Sequence, residues 1–245
     1  MVCTNLKLLV NVIYEILACI FDLDGTMLDT LGIWNRTDEF VINRYGQKPS
    51  PSLHELQLGR DEVVRDRGYV GYCSYLIDEY QMKDITDPNE LLKIRWAYAD
   101  ELLRNLDYKP GVVRFIKGVK ALGKKIGLAT MSTAHQIEVY EKLNQKTSSQ
   151  LVFHDEFDYV GLKDDVTKNK PDPEIYLKAC NALGISPSQG IVFEDALEGV
   201  ESAKRAGSIV VAVRDDHNEA DFEQIKARAD FWLESFEELA DLMKS

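Results

Sequence analysis

At 245 residues, with 45% apolar residues and a net charge of −12, the chain suits one large domain or a domain carrying an insertion, with a sizeable buried core. The excess of acid argues against nucleic acid or an anionic membrane as the main partner, and any phosphate-bearing ligand then needs a locally positive site. No stretch is apolar enough to span a membrane; the four scattered cysteines (Cys3, Cys19, Cys73, Cys180) have no CxxC or metal-ligand spacing, as expected of reduced thiols in a cytoplasmic protein.

Leu6 to Leu17 is apolar-rich but broken by Asn11 and Glu15, with a single lysine, Lys7, at its start. It reads as a short extra helix or a lead-in to a strand, not as a cleaved signal. Ala18-Cys-Ile-Phe21 is a buried strand that ends in Asp22, Asp24, Gly25 and Thr26. Two carboxylates at the tip of a buried strand are costly unless something pairs them, and a divalent cation with a taste for oxygen does so. From Asp29 to about Leu106 the apolar residues recur at helical spacing, with polar breaks at Gln47–Pro51 and Asp84–Pro88. This reads as a helical insertion.

Beyond Lys109-Pro110-Gly111 the pattern alternates. A helix over Val112–Leu122 precedes a strand over Lys125–Thr130, then a hydroxyl-rich turn (Thr130, Met131, Ser132, Thr133) and a helix from Ala134 to Leu143. A weaker strand spans Phe157–Gly161, and Pro171-Asp-Pro173 opens a helix over Glu174–Leu183. Gly190–Phe193 is a strand ending in Glu194 and Asp195. A helix over Leu197–Ala206, a strand over Ile209–Val213 and a last helix containing Leu239 and Leu242 follow. Strands alternating with helices imply an α/β fold: a Rossmann-like, doubly wound parallel sheet. Ligands in such sheets bind at the carboxyl ends of the strands, where Asp22, Asp24, Thr130, Glu194 and Asp195 all fall.

Four carboxylates, a hydroxyl and a lysine point to phosphoryl transfer with Mg2+. Asp22 is the expected nucleophile, because aspartate forms acyl-phosphate intermediates. Asp24 is the expected general acid and base. Asp22, Asp195, Glu194 and the backbone carbonyl of Asp24 are the expected metal ligands. Thr130 and nearby amides would hold phosphate oxygens, with Lys170 as the neutralising cation. Simpler readings stand beside these: Glu194 and Asp195 could cap the following helix, and Lys168 and Lys170 could be solvated. His54, His135, His154 and His217 lack ligand spacing and are expected at the surface, and Ser132 has no GxSxG elbow.

These residues resemble the motifs of the haloacid dehalogenase superfamily in order: Asp22-Leu-Asp-Gly-Thr26, Thr130, Lys170-Pro-Asp-Pro, and Glu194-Asp195 with Gly199 and Ala206-Gly207 beyond. The resemblance implies a core formed by residues 1–29 and 107–245 and a helical cap over 30–106, hinged at Thr30 and Leu106–Pro110. The branch resembled contains β-phosphoglucomutase and small sugar-phosphate or phosphoglycolate phosphatases. Trp34 stands where that mutase carries a cap histidine, and Ala196 replaces the serine usual after the fourth motif. The implied activity is hydrolysis of a small phosphorylated metabolite. A phosphomutase and a non-catalytic metabolite-binding protein are the alternatives. Thr26, Met131, Ser132 and the cap residue Arg60 are the expected substrate contacts.

Overall fold

The computed structural model describes residues 6–216 and 221–243, apart from the side chains of Leu31, Asp61 and Arg65. His217 and Cys3 lie outside the described residues. The chain divides into two compact units, Met1–Asp29 with Leu106–Ser245, and Thr30–Asn105.

The first unit is built on six parallel strands: β1 (Ala18–Phe21), β2 (Lys125–Ala129), β3 (Tyr159–Gly161), β4 (Gly190–Glu194), β5 (Ile209–Val213) and β6 (Phe231–Leu233). Their order in the sheet is β3-β2-β1-β4-β5-β6. The order reverses beside β1, which pairs with β2 on one side and β4 on the other. A crevice at the carboxyl ends of these three strands is the expected ligand position in such a sheet.

The apolar run of β1 follows from burial on both faces. Ala18 and Ile20 join Val192, Val210 and Ala212 in a core sealed by two helices, α9 (Glu174–Ala182) and α10 (Leu197–Ala206). On the other face Phe21 stacks on Phe193 with ring centroids 4.9 Å apart. Phe115 from α5 (Val112–Ala121) and Phe236 from α12 (Phe236–Leu242) pack around that pair. The segment before β1 is a helix, α1 (Leu6–Glu15), which buries Leu9, Val10 and Ile13. Three features depart from the sequence reading. β6 and the helix α11 (Phe222–Arg228) were not expected. β3 starts at Tyr159. The helix expected from Ala134 to Leu143 is α-helical only over Ala134–Glu138 (α6) and continues as a π-helical turn over Val139–Leu143. Two one-turn helices follow, α7 (Gln145–Ser148) and α8 (Phe153–Glu156).

The second unit is helical: α2 (Leu31–Tyr45), α3 (Leu53–Glu79) and α4 (Pro88–Leu103). The polar breaks seen in the sequence are its helix starts. Ser52 and Glu55 form a reciprocal capping box at the start of α3, and Asp87 caps α4 with Pro88 at its first position. The unit's interior holds an ion network. Asp38 is fully buried, and its carboxylate accepts from Arg60, Arg95 and the Tyr72 hydroxyl. Among the described residues no helix is long and apolar enough to cross a membrane.

Candidate active site

Asp22 continues the sheet register beyond β1: its N–H donates to the Phe193 carbonyl at 3.0 Å. The chain then turns sharply, closed by the Gly25 N–H on the Leu28 carbonyl at 2.8 Å. Gly25 sits at φ +82°, and a Cβ there would collide with the Asp195 carboxylate, so both the turn and the close approach require glycine. Thr26, fully buried, donates from Oγ1 to Asp195 Oδ1 at 2.7 Å. The Asp22–Thr26 loop and the end of β4 are thereby locked together.

Lys170 is the hub of the acidic cluster. Its Nζ donates to Asp22 Oδ1 and to Glu194 Oε1, both at 2.6 Å, and to the Ala129 carbonyl at 3.1 Å. The ring of Tyr176 lies 4.9 Å from the ammonium, and the Tyr176 hydroxyl donates to Glu194 Oε1 at 2.7 Å. The Lys170–Pro171 peptide is cis. The other Glu194 oxygen accepts the backbone N–H groups of Asp195 and Ala196 at 3.0 and 3.2 Å. Glu194 thus serves the start of α10, where Ala196 offers no capping side chain, and its charge suits a helix N-terminus. Gly199 makes room for it, since a Cβ there would strike the Glu194 carboxylate.

The charges do not balance. Asp22, Glu194 and Asp195 converge on a site whose buried cation is Lys170, and Asp24 adds negative charge from nearby. Burial, with Glu194 and Asp24 adding to it and Lys170 opposing it, pushes Asp22 up to about 7. Burial and the neighbouring carboxylates Glu194 and Asp22 hold Asp195 well above the usual carboxylate range. Burial works against the Lys170 charge, but Asp22 and Glu194 keep its pKa well above normal. Excess buried negative charge of this kind is relieved by a cation. Oxygens of Asp22, Glu194 and Asp195 lie within 4.8 Å of one another, and such hard donors suit a divalent ion. The site therefore fits a divalent metal. Four hydrogen bonds engage the Glu194 carboxylate.

Asp24 points elsewhere. Its carboxylate accepts from the Ser132 hydroxyl on Oδ2 and from the Tyr140 hydroxyl on Oδ1, the latter at 3.3 Å. Its side chain thus stands apart from the three clustered carboxylates, while its backbone remains on the loop beside them. Thr130 is buried at the end of β2, where its N–H donates to the Gly161 carbonyl and its Oγ1 accepts the Ser132 N–H at 3.0 Å. Met131 is half-buried against the core.

The structure places three of the expected substrate contacts in interior hydrogen bonds. The Thr26 hydroxyl is spent on Asp195 in the interior and has no exposure to offer a ligand. Arg60 is buried in the helical unit, its Nη1 3.0 Å from Asp38 Oδ2. Ser132, also expected to face substrate, is bound to Asp24. His54, His135 and His154 are exposed as expected. Sequence reasoning missed Tyr140, Tyr176 and a partly buried pair, Lys109 and Asp215, joined at 2.6 Å. Lys109 also donates to the Gly25 carbonyl and so braces the loop. Asp215 follows β5, and the strand-end pattern that flagged the other acids applies to it equally. Nothing in the sequence distinguishes Tyr140 from an ordinary apolar helix position.

Residues 19–213 match the family model described as haloacid dehalogenase-like hydrolase. A phosphorylated carbohydrates phosphatase from Thermotoga maritima is 32% identical over 78% of this chain and 81% of its own. Hexitol phosphatase B from Escherichia coli is 29% identical over 92% of this chain and 95% of its own. A crystal structure from Thermotoga maritima described as a "putative beta-phosphoglucomutase" superposes with a TM-score of 0.72 and 28% identity, covering 93% of this chain and 98% of that one. The chain belongs to the haloacid dehalogenase-like hydrolases. It is an enzyme of that family.

Proposed function

We propose that the protein is a magnesium-dependent phosphatase acting on a small phosphate monoester, with a sugar or polyol phosphate as the substrate class. The observation that carries this reading is Lys170 joining Asp22 to Glu194 at 2.6 Å each, next to Asp195, while Asp24 is held separately. Asp22 attacks phosphorus as the ester P–O bond breaks, forming an aspartyl phosphate, and Asp24 gives its proton to the departing alkoxide. Asp24 then takes a proton from water as the water oxygen attacks phosphorus. The Asp22–phosphorus bond breaks, and the Asp22 carboxylate and inorganic phosphate are released. Asp22, Asp195, Glu194 and the Asp24 carbonyl would hold Mg2+, which supplies charge stabilisation to the transferring group. Thr130 and Lys170 orient and neutralise the phosphoryl oxygens, with Met131 bordering them. The names of the relatives support a phosphorylated carbohydrate or hexitol as substrate. Selectivity is assigned to the helical unit as a cap, and the buried thiols Cys19, Cys73 and Cys180 support a cytoplasmic setting.

The likeness to the structure described as a β-phosphoglucomutase favours a second reading, phosphomutase. A screen for phosphate release from hexose and hexitol phosphates with Mg2+ tests both. Release from monophosphates, abolished in Asp22→Asn, is the expected result. A strict requirement for a bisphosphate would establish the mutase, and full activity in Asp22→Asn would remove Asp22 as nucleophile.

A further inference from the structure

We propose that Tyr140 is a positioning residue that fixes the Asp24 carboxylate, brought to it by the π-helical turn that interrupts the helix after Thr133. The inference rests on the acid–base role of Asp24 given above.

The turn is an unusual place for a regular helix to break. Over Val139–Leu143 the hydrogen bonds widen, with the Asn144 N–H reaching the Val139 carbonyl five residues back at 2.8 Å. Such a turn inserts one residue into the helical register and rotates its side chains, at a cost in backbone pairing. Neighbouring side chains meet part of that cost. Thr147 Oγ1 donates to the Tyr140 carbonyl at 2.6 Å, and Asn144 Oδ1 accepts from the N–H groups of Lys146 and Thr147.

What the turn delivers is a phenol. Tyr140 is 1% exposed, yet its hydroxyl meets a carboxylate 116 positions away in the chain, donating to Asp24 Oδ1 at 3.3 Å. Ser132, 108 positions from Asp24, holds Oδ2. Each carboxylate oxygen is therefore held by a hydroxyl from one short segment, Ser132 to Tyr140. That segment follows β2, whose end also carries Thr130. A carboxylate held at both oxygens keeps one orientation about its Cβ–Cγ bond. A group that must first give and then recover a proton along one line gains from that constraint. The same segment thus serves the phosphoryl-contacting Thr130 and the proton carrier.

The test is Tyr140→Phe, which keeps the ring and removes the oxygen, assayed as kcat/KM on a hexitol phosphate and on p-nitrophenyl phosphate. The alkoxide leaving group needs a proton and p-nitrophenolate does not, so misplacing Asp24 penalises the first substrate selectively. The expected result is a fall of about tenfold on the alkyl ester and under about twofold on the aryl ester, with an unchanged thermal midpoint. Equal losses on both, with or without a lower midpoint, would assign Tyr140 to packing and overturn the inference, as would no loss on either. Asp24→Ala on the same two esters separates this from its premise. A leaving-group difference in Asp24→Ala without one in Tyr140→Phe removes Tyr140 alone; no difference in Asp24→Ala removes the acid role and the inference with it.

Discussion

Lys170 Nζ lies 2.6 Å from Asp22 Oδ1 and 2.6 Å from Glu194 Oε1, so one ammonium ties the end of β1 to the end of β4 across the sheet's switch point. Lys170→Met removes that tie and leaves the acidic cluster without its buried cation. Activity is expected to fall by about a hundredfold or more, as for loss of a preorganised electrostatic partner. Stability without metal is expected to fall by about 3 kcal/mol, the cost of stranding buried charge. Steady-state kinetics and urea unfolding in EDTA check both. Lys168→Met is the control, since the Lys168 side chain is 70% exposed. Losses in Lys170→Met no larger than those in Lys168→Met would remove Lys170 from the catalytic site.

The same cluster sets a pH dependence. Asp22 is pushed up to about 7 by burial, while an unfolded aspartate titrates near ~4. Between those values the folded protein binds more protons than the unfolded chain, so stability declines as pH rises through the window. Glu174, lowered to about 2 by its hydrogen bonds with Lys178 and Thr167, acts in the opposite sense at lower pH. In EDTA the thermal midpoint is expected to be higher near pH 5 than near pH 8. Mg2+ displaces the protons, so it should raise the midpoint more at pH 8 than at pH 5. Equal Mg2+ increments at the two values would contradict this account.

Much of this site was legible because its parts obey local rules. β1 and β5 begin and end where their apolar runs do, since burial on both faces of a parallel sheet leaves an uninterrupted apolar signature. Asp22, Asp24, Glu194 and Asp195 announced themselves as acids directly after such runs. β6 was not legible, because three residues flanked by polar positions carry no period. The partners of each acid were not legible either. Thr26 turns to Asp195, 169 positions away, because the positive φ at Gly25 swings the loop onto β4. Arg60, expected among the substrate contacts, pairs with Asp38, a partner set by the packing of α2 on α3.

Thr26→Val keeps shape and removes the donor to Asp195 Oδ1. A partner that orients a metal-ligating carboxylate typically contributes about 10- to 100-fold in metal affinity. The Mg2+ concentration giving half-maximal activity is therefore expected to rise by about tenfold or more, at unchanged KM for substrate. An unchanged Mg2+ dependence with a lowered thermal midpoint would make Thr26 a packing residue only.

Arg60 is the position where a structural and a substrate-binding role diverge most cleanly. Its Nη1 donates to Asp38 Oδ2 at 3.0 Å, while Arg95 holds Oδ1, so Arg60→Ala leaves Asp38 with one guanidinium and the Tyr72 hydroxyl. The expected loss is about 1.5–3 kcal/mol, that of one hydrogen bond to a charged group. Asp38→Ala instead strands two buried guanidiniums and is expected to cost more, about 3–5 kcal/mol. Trp34 and Trp96 pack edge to face at 5.2 Å within the same helical unit, so their fluorescence reports its unfolding. The ranking of Asp38→Ala below Arg60→Ala in stability, with KM unchanged in Arg60→Ala, is the result that places Arg60 in the interior network. A raised KM at an unchanged unfolding midpoint would return Arg60 to the substrate.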